Sequence, residues 1–176
     1  ELPELPAGET PLDHLMDLGD ELRRHRNDGA AAAAVSIAAI SEKRFEALGD
    51  QVEGGAERDS VATIVRQLKH PDEVRLLRSV YGPRFVLLGA WSPKEERAHA
   101  VEQRLRQMVP NKDQTWYDQQ VPRLMNRDEK DGSLPLGQRV RDTFELCDAY
   151  VALRTGHSIH DEVTRLVRLL FGAPFE

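Results

Sequence analysis

His157 and His160 lie three residues apart with Asp161 and Glu162 alongside, a set of side chains that could ligate a metal ion. The same residues also read as a helix start, with Ser158 as the cap and the acidic pair where the helix dipole favours negative charge. The helix-start reading is the stronger, because a zinc-hydrolase helix carries histidines four apart around a glutamate, and that spacing is absent. Lys69 and His70 follow a short β-branched run, just past the end of an expected parallel strand. Ligands of open α/β sheets bind there, although a loop in that place also needs polar residues simply to be solvated. Arg97, Arg104 and Arg106 share a Glu-rich segment. Arginines on a mobile lid can hold phosphate oxygens, and on a Glu-rich helix they also serve as solvated salt-bridge partners. Arg127, Asp128 and Glu129 close one helical segment, and Gln138, Arg141 and Asp142 belong to the next. Charged groups so spaced could dock two helices or contact a ligand. No serine, histidine and acid arrangement suggests nucleophilic catalysis. The lone Cys147 sits in an apolar context, where a free cysteine usually acts as a small core residue.

Composition narrows the classes. A chain of 176 residues is long enough for one domain with a real core. The net charge of −6 argues against nucleic-acid binding driven by phosphate neutralisation, so no direct DNA contact is expected. A single cysteine excludes an intramolecular disulfide and a Cys-rich zinc site. No apolar run approaches the roughly 20 residues needed to span a bilayer, and no signal-peptide pattern opens the chain, so the expected location is cytoplasmic. The chain begins at Glu1 without methionine and closes on "FGAPFE", which points to a piece of a longer polypeptide.

The elements that must position these residues follow from periodicity and punctuation. Residues 1–9 hold two prolines and read as an extended lead-in. Thr10 is the expected N-cap of a first helix, with Pro11 at the first helical position, Asp13 three residues after the cap, and "RRHR" suiting the dipole at the far end. Asn27-Asp28-Gly29 should stop it, and "GAAAAAVSIAAI" should start a second helix. Residues 47–60 read as a Gly- and acid-rich surface loop. Val61 to Val65 reads as a strand, Pro71 sits before "DEVRLLRSVYG", a short helix stopped by Gly82-Pro83, and Phe85 to Ala90 reads as a strand buried on both faces of a parallel sheet. Ser92-Pro93 should cap a helix running to about Val109, and a further helix holds Pro122 as a kink or boundary. The helix "QRVRDTFELC" should turn Val140, Phe144 and Leu146 into the core. Ala149 to Leu153 reads as a third strand, and Ile159 to Phe171 as a last amphipathic helix. Three strands alternating with helices predict a parallel sheet covered on both sides.

Taken in order, "LMDLGDELRRHRNDGAAAAAVSIAAI", "IVRQLKHPDEVRLLRSVYGPRFVLLGAW", "LMNRDEKDGSLPLGQRVRDTFELCDAYV" and "VTRLVRLLFGAP" resemble one family. The pattern is similar to the N-terminal, P-loop kinase-like domain of anti-phage dCTP deaminases, and the resemblance runs from Pro11 onward. It implies an α/β fold of the P-loop nucleotide kinase-like type, a parallel sheet flanked by helices, in a fragment lacking the P-loop strand and the deaminase domain. On this reading residues 10–172 are the C-terminal portion of the kinase-like domain and 173–176 begin a linker to a following domain. It further implies a parent enzyme that deaminates deoxycytidine nucleotides and depletes dCTP during phage infection. Zinc is expected in that parent deaminase domain, with no cofactor in this segment, because neither an H-x-E beside a cysteine pair nor a P-C-x-x-C occurs here. In working nucleotide kinases of similar build an acidic residue closes the strand matching "IVRQLKHP". Arg66 stands there instead, which argues against phosphoryl transfer.

The expected function is therefore a non-catalytic, nucleotide-sensing or assembly domain, with its own deaminase domain and further copies of itself as partners. Lys69, Arg97 and Arg127 are the expected nucleotide contacts. A phosphotransferase fragment and a purely structural interaction domain are the alternatives.

Overall fold

Thr10 and Asp13 cap the first helix through bonds local in sequence. The Thr10 backbone N–H and hydroxyl both donate to Asp13 Oδ2 (2.9 and 2.8 Å), and the Asp13 N–H donates back to the Thr10 hydroxyl. This reciprocal cap satisfies the free amides of a helix start. It opens α1, Pro11–Arg26, in a computed structural model that describes residues 9–49, 61–129, 136–154, 156, 158–170 and 172. The helix ends as its punctuation requires. Asn27 adopts a positive φ of 50°, and the N–H groups of Asn27 and Asp28 donate to the carbonyls of Arg24 and Arg23, the paired bonds of a Schellman stop. Asp28 Oδ1 then accepts from the Ala30 N–H at 2.8 Å and turns the chain into α2, Ala31–Gly49.

The chain divides into two compact units. One is built from described parts of 15–85 and 128–143. It holds α2, most of α1, and α3, Pro71–Tyr81, which ends at Gly82 with φ 55° and passes into a 3-10 turn over Gly82–Arg84. Ala30, Ala31, Ala33, Val74 and Leu77 are its buried apolar side chains. The small alanines let α2 approach α3 closely, so the alanine run is a packing face.

The other unit holds described parts of 1–14, 86–127 and 144–176. Strands β1, Leu88–Trp91, and β2, Ala149–Ala152, pair in parallel with Leu88 opposite Ala149 and Trp91 opposite Ala152. Between them in the chain come α4, Lys94–Met108, and α5, Gln114–Glu129; the end of α5 from Asp128 and most of the short α6, Val140–Phe144, belong to the first unit. α7, Ile159–Leu170, follows β2. Leu87, Leu105, Tyr117, Val121, Leu124, Met125 and Val151 are buried here. Gly89 is required by close approach: a Cβ there would lie 2.7 Å from Tyr150 Cδ1, 2.9 Å from Phe144 Cε2 and 3.0 Å from Cys147 Sγ.

The protein is thus mixed and mostly helical, with a small two-stranded parallel sheet among the described residues. Several expectations need correction. Residues 61–65 form no strand: Val61 is 76% and Ile64 86% exposed, so β-branched composition there had no neighbouring strand to pack against. The strand expected over Phe85 to Ala90 starts three residues later, at Leu88, and Leu88 and Trp91 are exposed, so β1 is not covered on both faces. Ser92 makes no side-chain cap on α4. Pro122 lies inside α5 and does not end it. Val140, Phe144 and Leu146 are half-buried, and α6 is shorter than the apolar spacing implied. Most of the expected loop at 47–60 lies outside the described residues. No helix among the described residues is long and apolar enough to cross a membrane.

Candidate ligand cleft and the polar network

In the first unit α3 is capped by a residue type that sequence rules do not rank as a cap. His70 Nδ1 accepts from the Asp72 N–H at 3.2 Å, which leaves the ring proton on Nε2. Pro71 fills the first helical position, and Glu73 completes the box by accepting from the His70 N–H at 3.1 Å and the Lys69 N–H at 2.6 Å. The other Glu73 oxygen faces Arg23 Nη1 at 3.3 Å. Arg23 is buried, and its Nη2 donates to Asp20 at 2.7 Å and its Nε to the Leu136 carbonyl at 2.9 Å. One guanidinium therefore joins α1, the start of α3 and the segment before α6. Burial pushes the Glu73 carboxyl above its ordinary value, against the hydrogen bonds from Lys69, His70 and Arg23 that favour its charge.

Burial also holds the His70 pKa below its ordinary value. Asp72 pulls it upward, but Arg23, Arg139 and Arg75 add to the downward push. The ring packs on Gly29, where a Cβ would lie 2.5 Å from it. His70 Nε2 and Gln138 Oε1 are buried without a hydrogen-bond partner among the described residues. Lys69, the first expected nucleotide contact, ion-pairs with Asp128 and is part-buried, while its carbonyl accepts from the Arg139 N–H at 2.7 Å.

In the second unit Arg127, another expected contact, faces a carboxylate as well. Arg123 and Arg127 stand one turn apart on α5 and both reach Asp13, Arg123 through both oxygens (2.8 and 2.5 Å) and Arg127 at 3.4 Å. Burial alone would raise the Asp13 pKa. The hydrogen bonds from Arg123 and from the Thr10 N–H and hydroxyl outweigh it and hold the carboxyl below its ordinary value. Arg97 is exposed on α4. Farther along α4, Arg106 pairs with Glu102 at 2.7 Å and lies 4.1 Å above the Tyr117 ring, whose hydroxyl donates to the Val109 carbonyl. Arg106 therefore fastens α4 to α5. Arg66 is exposed.

A cleft in this unit involves none of the three expected contacts. Its volume is about 620 Å³, and it opens where the carboxyl ends of β1 and β2 meet α7. Trp91, Phe144 and Tyr150 wall it with aromatic rings, and Glu162 and Arg165 supply its charged groups. Phe144 and Tyr150 pack with ring centroids 4.9 Å apart, and the Arg154 guanidinium lies 4.7 Å over Trp91. Glu162 Oε2 accepts from the Ala152 N–H at 2.9 Å, fixing α7 against β2. An apolar, aromatic hollow with few polar groups is what a flat organic ring requires.

The metal reading of His157 and His160 gains no geometry. His157 lies outside the described residues, His160 is exposed on α7, and no group of three or more potential ligands occurs among the described residues. Ser158 does accept from the Asp161 N–H at 3.3 Å, as a helix start requires. Sequence reasoning missed Arg23, Glu73 and Gly89. The spacing of His70 and Glu73 around Pro71 carried the cap signal, and Arg23 continues the face of Leu12, Met16 and Asp20 at helical spacing. Nothing in the sequence marked the cleft. Compared with known proteins, the chain matches no family model, no curated protein and no solved structure.

Proposed function

We propose that this chain is a non-catalytic nucleotide-sensing and assembly domain, with a P-loop kinase-like α/β origin, serving an antiviral deaminase that consumes deoxycytidine nucleotides. The observation that carries the ligand half of this reading is the aromatic cleft at the carboxyl ends of two parallel strands. Open α/β sheets bind ligands at that end, and Trp91, Phe144 and Tyr150 offer faces on which a base can stack. The family context comes from the ordered sequence stretches alone.

On this reading Arg97 and Arg127 are candidate phosphate contacts in the unit that holds the cleft, and Lys69 is a separate candidate in the other. Lys69 and Arg127 would exchange a carboxylate partner for phosphate. The zinc and the deamination chemistry belong to the parent enzyme's deaminase domain, which is also the expected neighbour.

Titrating the chain with dCTP, dCMP and ribonucleotides while following Trp91 fluorescence, with Trp116→Phe to isolate the signal, tests the ligand half. Saturable quenching by a deoxycytidine nucleotide is the expected result. A flat response to every nucleotide would overturn it. The interaction-domain reading then stands, favoured by the pairing of Lys69 with Asp128 and of Arg127 with Asp13.

A further inference from the structure

Arg154 follows β2 by two residues and borders the cleft. The Leu153 N–H donates to the Trp91 carbonyl at 2.6 Å, one step beyond the paired strands, so the backbone that carries Arg154 is pinned beside Trp91. The Arg154 guanidinium carbon lies 4.7 Å from the centroid of the Trp91 ring, and Trp91 itself lines the cleft. Among the described residues that guanidinium makes no hydrogen bond or ion pair, and the side chain is exposed. Lys69 and Arg127, by contrast, face Asp128 and Asp13. An arginine held over an aromatic face keeps the N–H donors in its own plane for a partner.

Charge points the same way. Glu162 and Arg165, the charged groups that line the cleft, carry opposite signs three residues apart on α7, and Glu162 also accepts from the Ala152 N–H. Arg154 adds a cation that nothing in the lining offsets. The whole chain carries a net charge of −6, so an anion is repelled by the protein at large and needs such a local cation to settle.

We propose that the cleft takes a flat ring that bears a phosphate, and that Arg154 is the residue that reads the phosphate. The ring fills the apolar hollow between Trp91, Phe144 and Tyr150, and the phosphate meets the guanidinium at the rim, where two N–H groups can serve two oxygens. No carboxylate has to be displaced first. A nucleoside fills the same hollow but gains nothing from Arg154, so this residue selects nucleotides over nucleosides.

This inference rests on the reading of the cleft as a ligand site and deepens it. The test uses the full 176-residue chain carrying Trp116→Phe, so that Trp91 alone reports. Deoxycytidine is compared with dCMP and dCTP, and phenol with phenyl phosphate, a pair that lacks the base. Each phosphate should bind about tenfold more tightly than its neutral counterpart, about what one charge-assisted hydrogen-bonded pair contributes. Arg154→Gln should erase that ratio while leaving the deoxycytidine midpoint and the melting temperature unchanged, and Arg154→Lys should keep part of it. Added salt should weaken dCMP binding and spare deoxycytidine. Equal midpoints for dCMP and deoxycytidine, or a ratio that survives Arg154→Gln, would overturn the inference and leave ring stacking in place. A preference for phenyl phosphate over phenol that depends on Arg154, with no cytosine compound bound, would keep the inference and remove the deoxycytidine reading. No response to any of these compounds would overturn both.

Discussion

The start of α3 and the cleft beside α7 use polar groups in opposite ways. Around α3, Asp20, Arg23 and Glu73 are buried and bonded to one another, and Glu73 also closes the backbone at Lys69 and His70. Beside α7 the polar groups are few, the rings of Trp91 and Tyr150 stay half open, and apolar side chains face solvent. Charge held inside a fold and fully bonded orders that fold, at a desolvation cost that another molecule does not share. Apolar surface left uncovered is available to a ligand or a second chain. The chain's chemically eye-catching cations Lys69 and Arg127 face carboxylates of their own units, whereas the cleft is mostly apolar.

The strongest way to break this contrast is to remove Arg23. Arg23→Met takes the guanidinium away from two buried carboxylates, Asp20 and Glu73, and should cost about 3–5 kcal/mol, read by urea denaturation. A loss within the range of an ordinary surface change, about 0.5 kcal/mol or less, would mean that the network does not hold the unit together. Gly89→Ala comes next, since its Cβ meets Tyr150, Phe144 and Cys147; overpacking of that kind costs about 1–3 kcal/mol. An unchanged melting curve would show that the rings move aside freely.

A smaller effect should appear with pH. The His70 pKa is depressed in the folded state, so between 6.5 and that lower value the unfolded chain binds the proton first. The associated stability is present in full above pH 6.5 and is lost as pH falls through the folded-state pKa. His70→Asn keeps a capping side chain and should flatten this dependence in denaturation curves collected across the window. A variant that keeps the native slope would assign the dependence to another group. The least effect on stability belongs to the cleft. Arg165→Ala should change unfolding free energy by about 0.5 kcal/mol or less while weakening the nucleotide response. Equal loss of both would make Arg165 a structural residue.

Much of the helical framework was legible in the sequence, because caps and stops act locally. Thr10 with Asp13, Asn27 with Asp28, and Gly82 each end or begin a helix where the residues themselves dictate. The parallel strands were legible at β2 and shifted at β1, where the apolar run set the position but the pairing register set the ends. The failure at 61–65 has the same origin: β-branched residues record a readiness to pair, and pairing needs a neighbour. The cleft was not legible, since it joins Trp91 to Phe144, Tyr150 and α7 from much later in the chain. The roles of Lys69 and Arg127 were hidden for a similar reason, because Asp128 and Asp13 approach them only on folding.

Backbone amide shift mapping of the 15N-labelled chain during addition of dCTP tests the central claim most directly. The account predicts saturable shifts concentrated at Trp91, Tyr150, Val151, Ala152, Glu162 and Leu166, with the amides of Ala33, Val74 and Leu77 in the core of the other unit unmoved. Shifts confined to the α3 cap, or none at any dCTP concentration, would contradict it.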